Sequence, residues 1–425
     1  PRPGISALAE AAGCAHKPFT ASSAAFTICP RINAAGRMGT AHKALDLLLC
    51  DDDDSVQLLA EEINQLNIQR QRTETELFAQ AAAAIESNPA VRDGKIIVVD
   101  GEGWHQGVVG IVAARLNERY GRPSVVISRD GENAKGSCRS IEGFSIYDAI
   151  ESVSDCLEHF GGHTLAAGVG LRSENIDEFR RRINEYAADK EMPFAVQRID
   201  CRIQPASISL DMLSSLSLLE PFGAGNPQPC FGLFGVRIDD IASVSDGKHI
   251  RMSVSKNGAR TGVVYFGMQD KRFPFDKGDT VDLAVNLDRN VYNGETRVSV
   301  IVRGIRPSAT DEDKVLSAIS LFERFSRGEH IGSEEAKRLL PDRALEVEVF
   351  RSIKAKPLRD KYCEALCSRL GDDGERLAAI SATVDIMLEM GVLTADEYNT
   401  VSVPQVSQKV NLEDSAILRR IRSFI

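Results

Sequence analysis

Residues 160 to 168, Phe160-Gly161-Gly162-His163-Thr164-Leu165-Ala166-Ala167-Gly168, place one imidazole between a glycine pair and a run of small side chains. Glycines let a backbone approach another group closely, and the small residues keep the turn or helix expected to follow from blocking it. Such a segment suits contact between main chain and ligand; by itself it fits a glycine turn with a structural histidine equally well. Upstream, Gly136-Ser137-Cys138-Arg139-Ser140 offers a hydroxyl, backbone N–H groups and a guanidinium just before an expected helix. Arg binds phosphate bidentately and Ser adds a short-range donor; in isolation the same residues read as a surface arginine at a strand end. Pro30-Arg31-Ile32-Asn33-Ala34-Ala35-Gly36-Arg37-Met38-Gly39 sets two arginines into a Gly/Ala-rich loop, suited either to a polyanion or to capping a helix. Trp104-His105-Gln106-Gly107 precedes a helix expected over residues 108 to 120, where the helix N-terminus favours anions. Trp104 reads more readily as core, His105 as a polar contact.

These segments need elements to hold them. Residues 1–90 read as a linker and a connecting helix, capped by Asp54 or Ser55, with Val56, Leu59, Ile63 and Leu66 as its stripe and Leu77, Ala81 and Ile85 resuming it up to Asn88-Pro89. Residues 91–192 alternate strands at 96–99 and 125–127 with helices at 108–120, 145–157 and 174–189, an α/β layer. Across 198–306 five short strands are expected, at 236–244, 249–254, 261–266, 280–287 and 296–302. Turns at Asp246-Gly247, Asn257-Gly258, Lys277-Gly278 and Asn293-Gly294 separate them, which suits an all-β barrel of the OB-fold type. Residues 310–425 read as a mostly helical accessory domain, with a strand signal at 344–350.

The chain has 425 residues, enough for about three domains. Its net charge of −10 speaks against nucleic acid, but residues 198–306 hold 14 Lys/Arg against 12 Asp/Glu, so the acidity lies elsewhere. No apolar run approaches a membrane span of roughly 20 residues. Nine cysteines without a CxxC pair fit a reducing cytoplasm. The sequence begins at Pro1, which suggests a missing upstream segment. The seven histidines, 16, 42, 105, 159, 163, 249 and 330, do not cluster with carboxylates, and Asp51 to Asp54 read as a solvated, dipole-matched helix start, so no metal is expected on this chain.

Taken together, the PRINAAGRMG, WHQGVVGIVAARL, GSCRS and FGGHTLAAG segments resemble the RecJ exonucleases of the DHH phosphoesterase superfamily, from residue 1 to about 306. Glu220-Pro221-Phe222-Gly223-Ala224-Gly225-Asn226-Pro227 resembles the start of that family's OB domain. The resemblance implies a DHH-associated domain and an OB domain of a 5′-to-3′ single-stranded-DNA exonuclease of repair and recombination. It also implies two Mn2+ or Mg2+ ions held by an N-terminal DHH domain. No Asp-His-His triplet occurs here, so this chain is expected to bind DNA without holding the metals. By motif position Arg37, Ser137 and Arg139 would take the terminal 5′ phosphate, with Gly161, Gly162 and His105 nearby, and His163 would face the scissile phosphate. Lys248, Arg251 and Arg260 would pair barrel-bound phosphates, with Phe231, Phe234, Tyr265 or Phe266 stacking bases. The implied partners are single-stranded DNA and a single-strand-binding protein or helicase. A catalytically silent binding or scaffold protein is the alternative, and an RNA-related editing role a third, because alanyl-tRNA synthetases carry a similar DHH-associated domain.

Overall fold

The computed structural model describes residues 2–15, 19–194, 196–292 (for Tyr292, the backbone alone), 294–405 and 410–425. His16 and Asn293, and with the latter the expected Asn293-Gly294 turn, lie outside them. The chain divides into two units, Pro1–Val196 with Pro221–Gly223, and Gln197–Glu220 with Ala224–Ile425.

In the first unit the expected Gly/Ala-rich loop is a helix, α1 (Cys29–Met38). Pro30 suits its first turn, and Ala34 and Ala35 are buried. Gly36 costs such a helix about 1 kcal/mol relative to Ala, which the burial offsets. The connecting helix α2 (Asp53–Ser87) is continuous, and at about 1.5 Å per residue it spans roughly 50 Å. Its cap is Asp52 rather than Asp54 or Ser55: the carboxylate accepts the Ser55 N–H at 2.9 Å, and hydrogen bonding from the Ser55 hydroxyl and then from that N–H holds Asp52 below its ordinary range. Asp53 and Asp54 fill the first turn, as the dipole favours. Val56, Ala60 and Ile63 pack with Leu8 and Leu47, and Leu77, Ala81 and Ile85 with the sheet described next. Between these clusters the stripe turns polar. There Arg31 donates to Asn64 at 3.0 Å, and Arg70 and Arg115 share Glu74 at 2.7 and 3.1 Å.

The sheet has five strands, β1 (Ile97–Glu102), β2 (Ser124–Asp130), β3 (Asn133–Arg139), β4 (His159–His163) and β5 (Ala166–Arg172), in the order β1-β2-β3-β5-β4. Only β1 and β2 are parallel, joined by α3 (Gln106–Tyr120); the other pairs are antiparallel. Alternation gives the sheet two faces. Ile97, Val99 and Val126 meet α2 and α3, while Val98, Val125, Ile127, Cys138 and Val169 meet α4 (Ile146–Glu151) and α5 (Ile176–Ala188). Fully burying each such side chain stabilises by about 1.5–3 kcal/mol. Two expectations resolve here. Of the turn or helix expected after the glycine pair of the FGGHTLAAG segment, the turn is present, at Thr164-Leu165 within a β-hairpin, and the helix expected to run to residue 157 ends at Glu151, capped by Ser145 and followed by a 3-10 turn, Ser154–Cys156.

The second unit contains a closed five-stranded barrel: β6 (Phe231–Val244), β7 (His249–Lys256), β8 (Ala259–Tyr265), β9 (Thr280–Tyr292) and β10 (Glu295–Pro307). The order is β9-β10-β8-β7-β6, with β9 returning to β6 and β10 parallel to β8. Asn257 and Gly258 both have positive φ, the geometry of a type I′ hairpin turn. Beyond Pro307 the unit is mostly helical, including α6 (Arg343–Ala355), α7 (Cys363–Arg369) and α8 (Leu377–Glu389), with a short strand pair, Thr394–Ala395 against Val401–Ser402. The expected strand at 344–350 lies within α6, because Leu345, Val349 and Ile353 recur every four residues and bury one helical stripe. Almost every side of α8 is buried, as a central core helix requires. The helical region also completes the barrel core. Ala365 lies in it, Tyr362 meets the Phe275 ring at 5.9 Å, and Lys356 and Arg359 hold Asp276 at 2.6 and 3.1 Å. No helix among the described residues is long and apolar enough to cross a membrane.

Candidate nucleic-acid interface

Register places the first unit's site residues in rows across β3, β5 and β4. Arg139 pairs with Ala166, which pairs with His163; Ser137 pairs with Gly168, which pairs with Gly161. Residues directly opposite in an antiparallel sheet project to the same side, so Ser137, Arg139 and His163 share one face. It is the α3 face: a Cβ built on Gly110 of α3 would lie 3.0 Å from Ser137 Oγ and 3.3 Å from Arg139 Nη2. Arg139 donates to Ser137 Oγ at 3.2 Å and to the Cys138 carbonyl at 2.7 Å, which orients the guanidinium without neutralising it.

Beyond β3 this face is bare at Gly161 and Gly168. A Cβ on Gly161 would meet nothing within 4 Å, and one on Gly168 only the Gly136 carbonyl at 3.8 Å. Both residues are exposed strand glycines without positive φ. Gly in a strand costs about 0.5–1 kcal/mol relative to Ala, and neither packing nor backbone geometry accounts for that cost here. Gly162 differs, with φ +151° and a Cβ position 2.4 Å from the Ala166 carbonyl. Gly136 differs too, because its Cβ would strike Val169 at 2.8 Å.

The start of α3 forms the wall beside this floor. His105 caps it, Nδ1 accepting the Gly107 N–H at 3.1 Å, which places the neutral ring's proton on Nε2. Arg37 at the end of α1 donates to the Gly107 carbonyl at 2.9 Å, and a Cβ on Gly107 would lie 2.2 Å from the Arg37 carbonyl. Arg37 and His105 therefore meet at Gly107, one turn along α3 from the Gly110 that touches Ser137 and Arg139. Trp104 packs over Gly101 and donates to Gln80 at 2.9 Å. Cys138 points to the opposite face, where burial pushes its thiol up to about 12, so it remains a protonated core residue. Lys135 and His159 escaped the sequence reading. Their signal is the alternation 135/137/139 and 159/161/163, legible only once both segments are taken as strands.

In the second unit, Lys248 and Arg251 are exposed on β7 and the turn before it, while Arg260 is held by Asp239 at 3.0 Å. Phe231 is buried inside the barrel, which leaves it no face for a base, and the half-buried Tyr265 packs against the same core. Phe234 lies under the Arg202 guanidinium at 4.6 Å. Phe266 is 55% exposed and is set edge-on against His249, whose Nδ1 accepts the Gly267 N–H at 2.9 Å.

Comparison with known proteins now bears on these two units. The family model described as DHHA1 domain matches residues 93–189, and that described as RecJ OB domain matches 199–304. This chain carries a DHHA1 domain and a RecJ OB domain. The single-stranded-DNA-specific exonucleases RecJ of Bacillus subtilis and Thermus thermophilus are 32% and 35% identical to it, over 65% and 70% of its length. The Escherichia coli protein of the same name is 32% identical over 72%. The chain covers 36%, 41% and 55% of those three relatives. The crystal structure of Thermus thermophilus RecJ with Mn2+ superposes with a TM-score of 0.62 at 32% identity, covering 72% of this chain and 44% of that one. A second crystal structure of that RecJ contains Mg2+, so divalent ions belong to the family. Among the described residues here, no three His, Cys, Asp or Glu side chains are grouped to share an ion.

Proposed function

We propose that this chain supplies the strand-holding surfaces of a 5′-to-3′ exonuclease acting on single-stranded DNA in repair and recombination. The bare Gly161–Gly168 floor beside Ser137, Arg139 and His163 carries the reading. Two exposed glycines that nothing in the protein requires are explained by a ligand that lies against the main chain. The guanidinium of Arg139 and the Ser137 hydroxyl then bind the terminal phosphate, bidentate donors meeting a dianion. Arg37 and His105 fix the start of α3 alongside, and His163 faces the next phosphate across the floor. In the barrel unit, Lys248 and Arg251 pair with backbone phosphates and Phe266 stacks a base; Arg260, already paired, contributes less. Metal-dependent hydrolysis of that strand draws on ligands other than the residues named here. A single-strand-binding protein or helicase delivering the strand is the partner this role calls for.

The test is Arg139→Ala. Hydrogen bonds to charged groups contribute about 1.5–3 kcal/mol, so affinity for a 5′-phosphorylated oligonucleotide falls about tenfold or more. Affinity for the 5′-hydroxyl version changes little. Equal loss for both would make Arg139 a general backbone contact and remove the basis for polarity.

A further inference from the structure

The floor extends past the residues that hold the strand end. Lys135 pairs with Gly170, which pairs with His159, a row on the same face as Ser137 and Arg139. Both Lys135 and His159 are exposed, and the His159 ring lies over Gly170, where a Cβ would be 2.1 Å from its Cε1. The Lys135 ammonium has no carboxylate partner among the described residues, whereas Arg129, Arg172, Arg180 and Arg182 of the same unit are each on one. In a chain with a formal charge of −10, a cation left unpaired beside a bare backbone floor complements a polyanion.

We infer that Lys135, with His159 beside it, forms a second phosphate station, which engages an internal phosphate of the same single strand whose end Arg139 holds. Lys135 and Arg139 are four residues apart on β3, about 13 Å at ~3.3 Å per residue. One phosphate cannot reach both. A mononucleotide therefore fills the first station alone, and a longer strand fills both, so Lys135 makes the floor sensitive to strand length. This rests on the reading of the floor given above.

The ligands that separate the stations are thymidine 5′-monophosphate and 5′-phosphorylated trithymidylate, titrated into the full 425-residue chain. Amide NMR shifts of Gly161 and Gly168 are the readout, so that binding to the barrel does not contribute. Lys135→Ala, an exposed change that leaves the fold intact, weakens the trithymidylate at least about fivefold and makes its log-affinity against log-salt slope shallower by about 0.7, the loss of one contact. The monophosphate is unaffected. Lys135→Ala weakening both ligands equally, or neither, overturns the second station. Arg139→Ala, run in parallel, must weaken both ligands. If it weakens neither, or if the glycine amides shift with no ligand, the reading of the floor fails first and the second station with it.

Discussion

Gly161→Ala separates a functional glycine from a structural one, because the structure assigns opposite signs to its effects on stability and on binding. The residue has an ordinary strand backbone and nothing within 4 Å of the new methyl, so Ala fits without strain. Removing a strand glycine stabilises by about 0.5–1 kcal/mol. For a unit of this size that raises its melting midpoint by about 2 °C. The same methyl stands on the floor where a phosphodiester must approach the backbone. It costs the hydrogen bonds made there, about 1.5–3 kcal/mol, so affinity for a 5′-phosphorylated oligonucleotide falls at least about tenfold. Gly162→Ala is the internal control. Its φ of +151° and the Ala166 carbonyl 2.4 Å from the methyl make it destabilising by about 1–3 kcal/mol or more. Calorimetry gives the stabilities and fluorescence anisotropy the affinities. A Gly161→Ala protein that binds like the parent, or that melts as early as Gly162→Ala, would falsify the argument that this floor is kept bare for a ligand.

Other outcomes follow from the same geometry. Gly107→Ala drives a methyl to 2.2 Å from the Arg37 carbonyl, so the melting midpoint of the first unit falls by several degrees; an unchanged melt would mean that α1 and α3 do not meet there. Burial alone would raise Asp276, but the Lys356 hydrogen bond and the charges of Arg359, Lys356 and Arg369 outweigh it and hold the carboxyl below its ordinary range. Its ion pairs therefore stabilise the second unit fully above about pH 4, the unfolded value, and are lost as pH falls through the lower folded value. Asp276→Asn should lower the urea midpoint at neutral pH and flatten its decline in acid; a parallel decline in both proteins would contradict this. Incubated alone with Mn2+, the chain should release no mononucleotides from single-stranded DNA, and chelator-sensitive release would show that residues described here hold the ions after all.

Much of the fold was legible because its signals are local. Asn-Gly and Asp-Gly turns between alternating runs marked the barrel, and the stripe through Val56, Ile63, Leu77 and Ile85 marked the long helix. What escaped depends on partners distant in sequence. Residues 159–172 hold too many glycines and alanines to look like strands, and they become strands because Gly136 lets Val169 and Ile127 close over it and because Arg139 pairs with Ala166. Once that pairing is missed, Lys135 cannot be placed beside Ser137 and Arg139. The segment at 344–350 misleads for the opposite reason: Val347 and Val349 favour a strand locally, but tertiary burial at a spacing of four decides for a helix. Candidates for the site could be proposed from motifs, while the sharing of Gly107 by Arg37 and His105 could not.

The barrel borrows part of its interior from the helical region, and this bears on how deletions are to be read. Tyr362 and Ala365 sit among Phe273, Phe275 and the barrel strands, with Lys356 and Arg359 fastening the loop that carries Asp276. A protein cut after Pro307 keeps every barrel strand yet opens its apolar interior to water at that end. Its failure to retain oligonucleotides would then report an unplugged fold, and a truncation series would mistake a missing cork for a missing hand.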